Sequence, residues 1–220
     1  MDFFDPTILT EYFSDNFLVG YKNTLLASLY ALFGSFILGV IIAVFRIAPV
    51  KPLNWIGAVY VEVIRNIPIL ILVYVFYSGL PALNIDLDGF AAGTIGLAIY
   101  TSAFIAEAVR AGIQAVPKGQ TEAARSSGLS YLQTMRHIVL PQAIKIVIPP
   151  LGNQFINLVK NSSVLGIVAG LDLMYNADLV ISDSFDTFST YLIVAVFYLT
   201  LTIPLAIFVN YLERRMARSN

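Results

Sequence analysis

Long apolar runs without a charged side chain are the feature that most constrains this chain. Residues 23–45 contain no acidic or basic residue, and residues 66–85 contain none either. A helix needs about 20 mostly apolar residues to cross the hydrocarbon core of a bilayer, and each run is long enough. Only 12% of the 220 residues are charged, whereas about 25% are charged in soluble domains. The chain is therefore expected to be an all-α membrane protein that crosses the bilayer several times.

The runs and the polar segments between them predict five transmembrane helices. They are expected over residues 17–46, 54–80, 89–115, 142–168 and 187–212, the second as one helix that begins near Trp55. Five crossings place the two termini on opposite sides of the membrane. Lys and Arg mark the cytoplasmic side, and they occur between spans one and two, between spans three and four, and after span five. The N-terminus is therefore expected outside and the C-terminus in the cytoplasm.

The polar segment between the third and fourth spans, residues 116–141, predicts two short helices joined by a turn. Pro117 suits the first turn of a helix, and Gly128 suits the left-handed conformation that ends one. Ser130 followed by Gln133 has the spacing of a capping box, and Pro141 is expected to mark the next break. From these residues alone, an amphipathic linker at the membrane surface, without any partner, is an equal alternative.

A longer pattern runs through this segment: EAA at positions 122–124, Gly128, and I-x-LP at positions 138–141. The spacing resembles the EAA loop of bacterial ABC importer permeases. Three further stretches resemble the polar amino acid permeases within that family. They are residues 62–70, with Ile67 where Thr is usual in "FRxTPLL", residues 106–120 ("AExxRxxIxxxPKGQ") and residues 160–163 ("K[DN][TS]S").

The resemblance implies the transmembrane subunit of an ATP-driven importer of polar amino acids, with the type I ABC importer permease fold, in a bacterial inner membrane. It implies four kinds of partner: a second permease copy or paralogue, two ATPase subunits, an external solute-binding protein and the amino acid. The chain has no Walker-type glycine-rich loop, so ATP and Mg²⁺ are expected on the partner ATPase and no cofactor in this chain. No catalytic residue, metal site or nucleic acid partner is expected.

Within the EAA loop, the resemblance assigns six residues to contact with the ATPase and coupling to it. They are Glu122, Ala123, Ala124, Gly128, Leu140 and Pro141. The two adjacent alanines are expected to leave a flat surface that enters a groove of the partner. His137, the only histidine, lies in the same loop without a carboxylate at catalytic spacing and is expected to be a surface residue.

Ionisable residues inside the spans indicate where a substrate binds, because such groups normally face protein or water. Arg65 is expected at depth, beside Asn66, and a guanidinium matches the carboxylate that every α-amino acid carries. A structural ion pair with Glu62, three residues earlier, is an equal alternative. For Glu107 and Arg110, which have the same spacing, an ion pair is the favoured interpretation.

The polar residues 160–163 are expected to interrupt the fourth span. Broken helices at membrane depth often line substrate sites, so Asn161, Ser162 and Ser163 are expected near the pocket. A helix end at the outer interface is the alternative. Asn161 stands where relatives that carry cationic amino acids often have Asp, which favours acidic or amide substrates. The rival function is a secondary amino acid transporter driven by an ion gradient.

Overall fold

The computed structural model describes residues 4–217, and this part of the chain is helical without any strand. It contains ten α-helices, which confirms the all-α class. They are α1 (Thr7–Glu11), α2 (Leu18–Ile47), α3 (Lys51–Asn66), α4 (Ile69–Tyr74), α5 (Gly89–Gln114), α6 (Lys118–Ser126), α7 (Tyr131–Thr134), α8 (Leu140–Asn161), α9 (Leu173–Ser184) and α10 (Thr187–Ala217). Three π-helical turns (Phe13–Phe17, Val75–Gly79, Met135–Val139) and two 3₁₀ segments (Leu80–Leu83, Ser162–Val168) lie between them.

Three continuous helices of the described residues are long and apolar enough to cross a membrane: Phe13–Ile47, Gly89–Gln114 and Thr187–Met216. Two bent pairs of helices bring the number of candidate spans to five when each pair counts as one. On that count the number of candidate spans reaches the predicted five, and two of the five are bent.

The second candidate span bends at Pro68, although the sequence pattern predicts one continuous helix there. The segments Lys51–Asn66 and Ile69–Leu83 meet at 105°. Ile67 is extended (φ −96°, ψ 131°), and so is Pro68 (φ −57°, ψ 136°). A proline ring clashes with a helical conformation of the residue before it, which explains why α3 ends at Asn66.

The fourth candidate span has no sharp break at Pro141 or at residues 160–163, where breaks were expected. Pro141 lies in the first turn of α8, where its missing N–H is tolerated, so the helix begins there instead of breaking. At residues 160–163 the α-helix only tightens into the 3₁₀ segment Ser162–Val168. The chain leaves the helix later, at Ala169 and Leu171, whose φ values are 54° and 56°.

Helix α5 is the centre of the packing. It contacts α2 along most of its length, and it also contacts α3, α4 and α8. The backbones approach closely at small residues, as is common between membrane helices. A Cβ added at Gly39 of α2 would lie 2.6 Å from the Ile105 side chain, and one at Gly96 would lie 2.7 Å from Val73.

Candidate functional site

Residues 116–141 form the expected helix, turn and helix, here called the hairpin. Gly128 has φ +85°, and its N–H donates to the Arg125 carbonyl at 3.0 Å. The predicted capping box is present, because the Gln133 N–H donates to Ser130 Oγ at 3.3 Å and the Ser130 N–H donates to Gln133 Oε1 at 2.8 Å. Both features lie within a few residues of each other, so local spacing predicted them correctly.

The hairpin is held at its base and exposed at its tip. Val116, Val139 and Ala143 form a buried apolar cluster where the hairpin joins α5 and α8. Glu122 and Ala123 are exposed on α6. Of the other predicted coupling residues, Gly128, Leu140 and Pro141 are exposed as well, whereas Ala124 is buried, with 6% of its surface exposed. The expected flat surface of two alanines is therefore wrong for Ala124, which faces its own chain.

An ionic cluster lies in the last turns of α5, just before the hairpin. Glu107 accepts from Arg110 at 2.5 Å (Nη2 to Oε1) and 3.2 Å (Nε to Oε2), which confirms the expected ion pair. Arg46 at the end of α2 also donates to the Glu107 carboxylate. Arg110 continues the network to the Gln114 side chain at 2.6 Å. The sequence did not indicate Arg46, because 61 residues separate it from Glu107.

Arg65, at the end of α3, does not form the ion pair with Glu62 that was one of the two expectations for it. The structure shows no ion pair between Arg65 and Glu62 within residues 4–217, and the Arg65 side chain is exposed on this chain instead of buried. Its guanidinium lies over the Phe104 ring, 5.3 Å from the centroid. The Glu62 carboxylate accepts from Asn66 Nδ2 at 3.2 Å, and that amide nitrogen also donates to the Glu62 carbonyl at 2.7 Å. Among the described residues, the Arg65 guanidinium therefore contacts a ring face and not the Glu62 carboxylate.

The second group of predicted site residues lies at the end of α8. Ser162 is buried and its Oγ donates to the Val159 carbonyl at 2.8 Å, whereas Asn161 and Ser163 are partly exposed. This region packs on α5 around Leu97, in a cluster that also contains Leu158 and Leu165.

Both groups of predicted site residues thus lie along α5, at different positions on that helix. Leu97 and Phe104 are seven residues apart, or about 10 Å along a helix. No hydrogen bond joins Arg65 to Asn161 in the described part of the chain. One group therefore packs on α5 at Phe104, and the other packs on it around Leu97.

The far end of the bundle contains polar contacts that the sequence analysis missed. Asp172 is buried and caps α9 by accepting from the N–H groups of Met174 at 3.2 Å and Tyr175 at 3.1 Å. In the turn before α10, Asp186 accepts from the Ser189 N–H at 3.0 Å. Hydrogen bonding from Ser189 holds the pKa of Asp186 below its usual value. An acidic residue just before an apolar run was the available signal for both caps.

The chain is similar in sequence to known transport proteins. The family described as "Binding-protein-dependent transport system inner membrane component" matches residues 35–218. "Probable glutamine ABC transporter permease protein GlnM" of Bacillus subtilis (strain 168) is 65% identical over 213 residues, which cover 97% of this chain and 98% of the relative. "Glutamine transport system permease protein GlnP" of Escherichia coli (strain K12) is 35% identical over 199 residues, covering 90% and 91%.

Two solved structures have a similar fold. The chain superimposes on an amino acid ABC transporter crystallised with histidines at a TM-score of 0.86 and 37% identity, covering 90% of this chain and 93% of the other. The MetNI methionine ABC transporter in an inward-facing conformation gives a TM-score of 0.75 at 22% identity, covering 91% and 95%, and so supports the fold alone. The predicted ABC importer permease fold is confirmed. The chain belongs to the family of binding-protein-dependent transport system inner membrane components, which makes it a transport permease and not an enzyme.

Proposed function

We propose that this chain is the transmembrane subunit of an ATP-driven importer of polar amino acids, and that acidic or amide amino acids are its substrates. The exposed hairpin with the EAA sequence is the observation that carries the proposal, because it offers an ATPase a docking surface. The similarity to two relatives named for glutamine supports the substrate class.

The working complex is proposed to contain two permease subunits, either two copies of this chain or this chain with a paralogue. Two ATPase subunits bind ATP and Mg²⁺ on the cytoplasmic side, and an external solute-binding protein delivers the amino acid. Each hairpin docks on one ATPase through Glu122, Ala123 and the turn at Gly128. The buried cluster at the hairpin base then carries the movement of the ATPase into α5 and α8.

The substrate is proposed to bind along α5. Arg65 binds the α-carboxylate, because its guanidinium is fixed on Phe104 but has no acidic partner within residues 4–217. Asn66 contributes near the same end, and the residues Asn161–Ser163 receive the side chain of the amino acid. Asn161 adds no negative charge there, which disfavours a cationic side chain. Arg65→Ala should weaken apparent affinity roughly ten- to a hundredfold, since a hydrogen bond to a charged group contributes about 1.5–3 kcal/mol.

Two glycine substitutions of the hairpin test the coupling role. A Cβ would meet nothing within 4 Å at either Gly128 or Gly119, but only Gly128 has a positive φ. Gly128→Val therefore strains the turn by about 1–3 kcal/mol without a steric clash, whereas Gly119→Ala leaves α6 intact. We expect Gly128→Val to reduce substrate-stimulated ATPase activity of the reconstituted complex and Gly119→Ala to preserve it, with equal membrane insertion. Normal stimulation in both Gly128→Val and Glu122→Lys would contradict the proposal.

The energy source separates the proposed function from secondary transport. Proteoliposomes that contain this chain, its ATPase and its binding protein should accumulate glutamine only when ATP is inside with the ATPase. Uptake driven by an ion gradient in the absence of ATP would support the rival function and overturn the ATP-driven one.

A further inference from the structure

An apolar groove opens between α8 and α10 and is floored by parts of α2 and α5. Its open space is about 520 Å³, and every residue that lines it is apolar. The lining includes Phe36, Val109, Ile144, Leu151, Phe208 and Leu212. Neither the hairpin surface nor the proposed substrate residues account for this groove.

The groove follows α8 and is long enough to hold a lipid chain of one leaflet. Its lining residues on α8 extend from Leu140 to Phe155, which is about 22 Å along a helix. The hydrocarbon of one leaflet is about 15 Å thick, half of the core of the bilayer. Since α8 belongs to a span, a chain lying beside it would run along the membrane normal.

Two arginines stand at the end of the groove that is nearer the hairpin. Arg215 is three residues after Leu212 on α10 and therefore continues the face that lines the groove. Arg136 lies in the π-helical turn before Leu140, about one turn away on the helix that leads into α8. Both side chains are exposed, and neither has an ion pair within residues 4–217. The groove is thus apolar along its length and positively charged at its mouth.

We propose that the groove binds a phospholipid with an anionic head group. One acyl chain fills the apolar length, and Arg136 and Arg215 hold the phosphate. A second copy of the chain fits this surface less well, because a two-fold contact places the same patch on both subunits, and the arginines of both copies would then share an interface whose lining contains no acidic residue. An anionic head group neutralises the same charges. The inference needs only the membrane insertion of the chain and not the proposed substrate.

Tryptophan fluorescence can report on the groove, because Trp55 is the only tryptophan of the chain. In a Trp55→Phe background, Phe208→Trp places the reporter in the groove, and Ile203→Trp places it on an exposed position of α10 outside the groove lining. The full-length variants are placed in nanodiscs of phosphatidylcholine with increasing phosphatidylglycerol. Dibrominated acyl chains, which quench tryptophan on contact, are carried by one of the two lipids at a time.

Brominated phosphatidylglycerol should quench the Phe208→Trp reporter more strongly than brominated phosphatidylcholine, and the Ile203→Trp reporter should not distinguish them. Arg136→Ala and Arg215→Ala should each lower the preference about fivefold, since a cation near an anionic lipid surface contributes about 1 kcal/mol. Equal quenching by both lipids at Phe208→Trp would mean bulk lipid only and would overturn the proposal. So would protection from both lipids, which would indicate that protein covers the groove, or a preference that survives removal of both arginines.

Discussion

Replacing Glu107 by Gln tests whether the ionic cluster joins α2 to α5. The carboxylate accepts from both Arg46 and Arg110, and the three side chains are only 17–25% exposed. A neutral amide at this position would leave two partly buried guanidinium groups without a counter-charge. The Glu107 carboxylate accepts three charged hydrogen bonds, and the oxygen of a Gln side chain can keep one of them. The two that are lost contribute about 3–6 kcal/mol together when buried, and halving this for the remaining solvent contact gives about 1.5–3 kcal/mol. For a chain of this size, each kcal/mol lowers the Tm by about 2–4 °C, so a decrease of roughly 3–12 °C is expected.

The assay is thermal unfolding of the purified chain in detergent, followed by the loss of the monodisperse elution peak. Glu62→Gln is the matched control, because Glu62 is exposed and its carboxylate accepts only from the Asn66 amide among the described residues. That substitution should cost less than about 0.5 kcal/mol. If Glu107→Gln lowers the Tm no more than Glu62→Gln does, the reasoning is refuted.

A double-mutant cycle separates the contact between helices from the contact within α5. Arg46→Met removes the α2 partner of Glu107 and leaves Arg110 in place. The effects of Arg46→Met and Glu107→Gln should then be non-additive by about 1 kcal/mol or more, since residues in one network couple. Additivity within about 0.5 kcal/mol would mean that Arg46 does not hold the two helices together.

Three further predictions concern topology, acid stability and packing. In this cysteine-free chain, an impermeant thiol reagent on intact cells should label Asp183→Cys and spare Ser219→Cys, a position outside the described residues; the reverse would invert the membrane orientation. Since the pKa of Asp186 is lowered in the folded chain, its stabilisation is complete above the ordinary value of 3.8 and is lost as the pH falls through the lowered pKa; Asp186→Asn should reduce the difference in Tm between about pH 3 and pH 6. A Cβ at Gly89 would overlap the Val168 carbonyl oxygen, whereas one at Gly79 would lie 3.8 Å from its nearest neighbour, so Gly89→Ala should lower the yield of folded chain and Gly79→Ala should not.

The features that the sequence predicted correctly depend on residues close together in the chain. The left-handed Gly128, the capping box at Ser130 and the ion pair of Glu107 with Arg110 each involve spacings of a few residues, where helix geometry leaves little choice. The lengths of the apolar runs likewise determined the candidate spans. In each case the conformation favoured by neighbouring residues is also the one found in the fold.

Two of the features that the sequence did not predict depend on contacts between distant segments. Arg65 is set by Phe104, on another helix, so the spacing to Glu62 could not indicate its partner. The left-handed conformations of Ala169 and Leu171 are unfavourable for these residue types. The Leu171 carbonyl accepts from Asn23 Nδ2 of α2 at 2.8 Å, and that partner is 148 residues away in the sequence. The bend at Pro68 is different: it was missed although a local signal marks it, because the residue before a proline avoids the helical conformation.

Helix α5 connects the proposed pocket to the proposed coupling surface. It contains no proline between Gly89 and Gln114, and along it lie, in order, the Leu97 cluster near Asn161, the Phe104 ring beneath Arg65, and Glu107 with its two arginines. It then leads through Val116 into the hairpin. The bends of the chain, at Pro68 and at Ala169, lie instead on the segments that carry the predicted substrate residues. In the proposed mechanism, the continuous helix α5 carries displacement of the hairpin along its axis, and the bends are where the opposite walls of the pocket change angle. The proposed coupling therefore requires no flexible joint within α5.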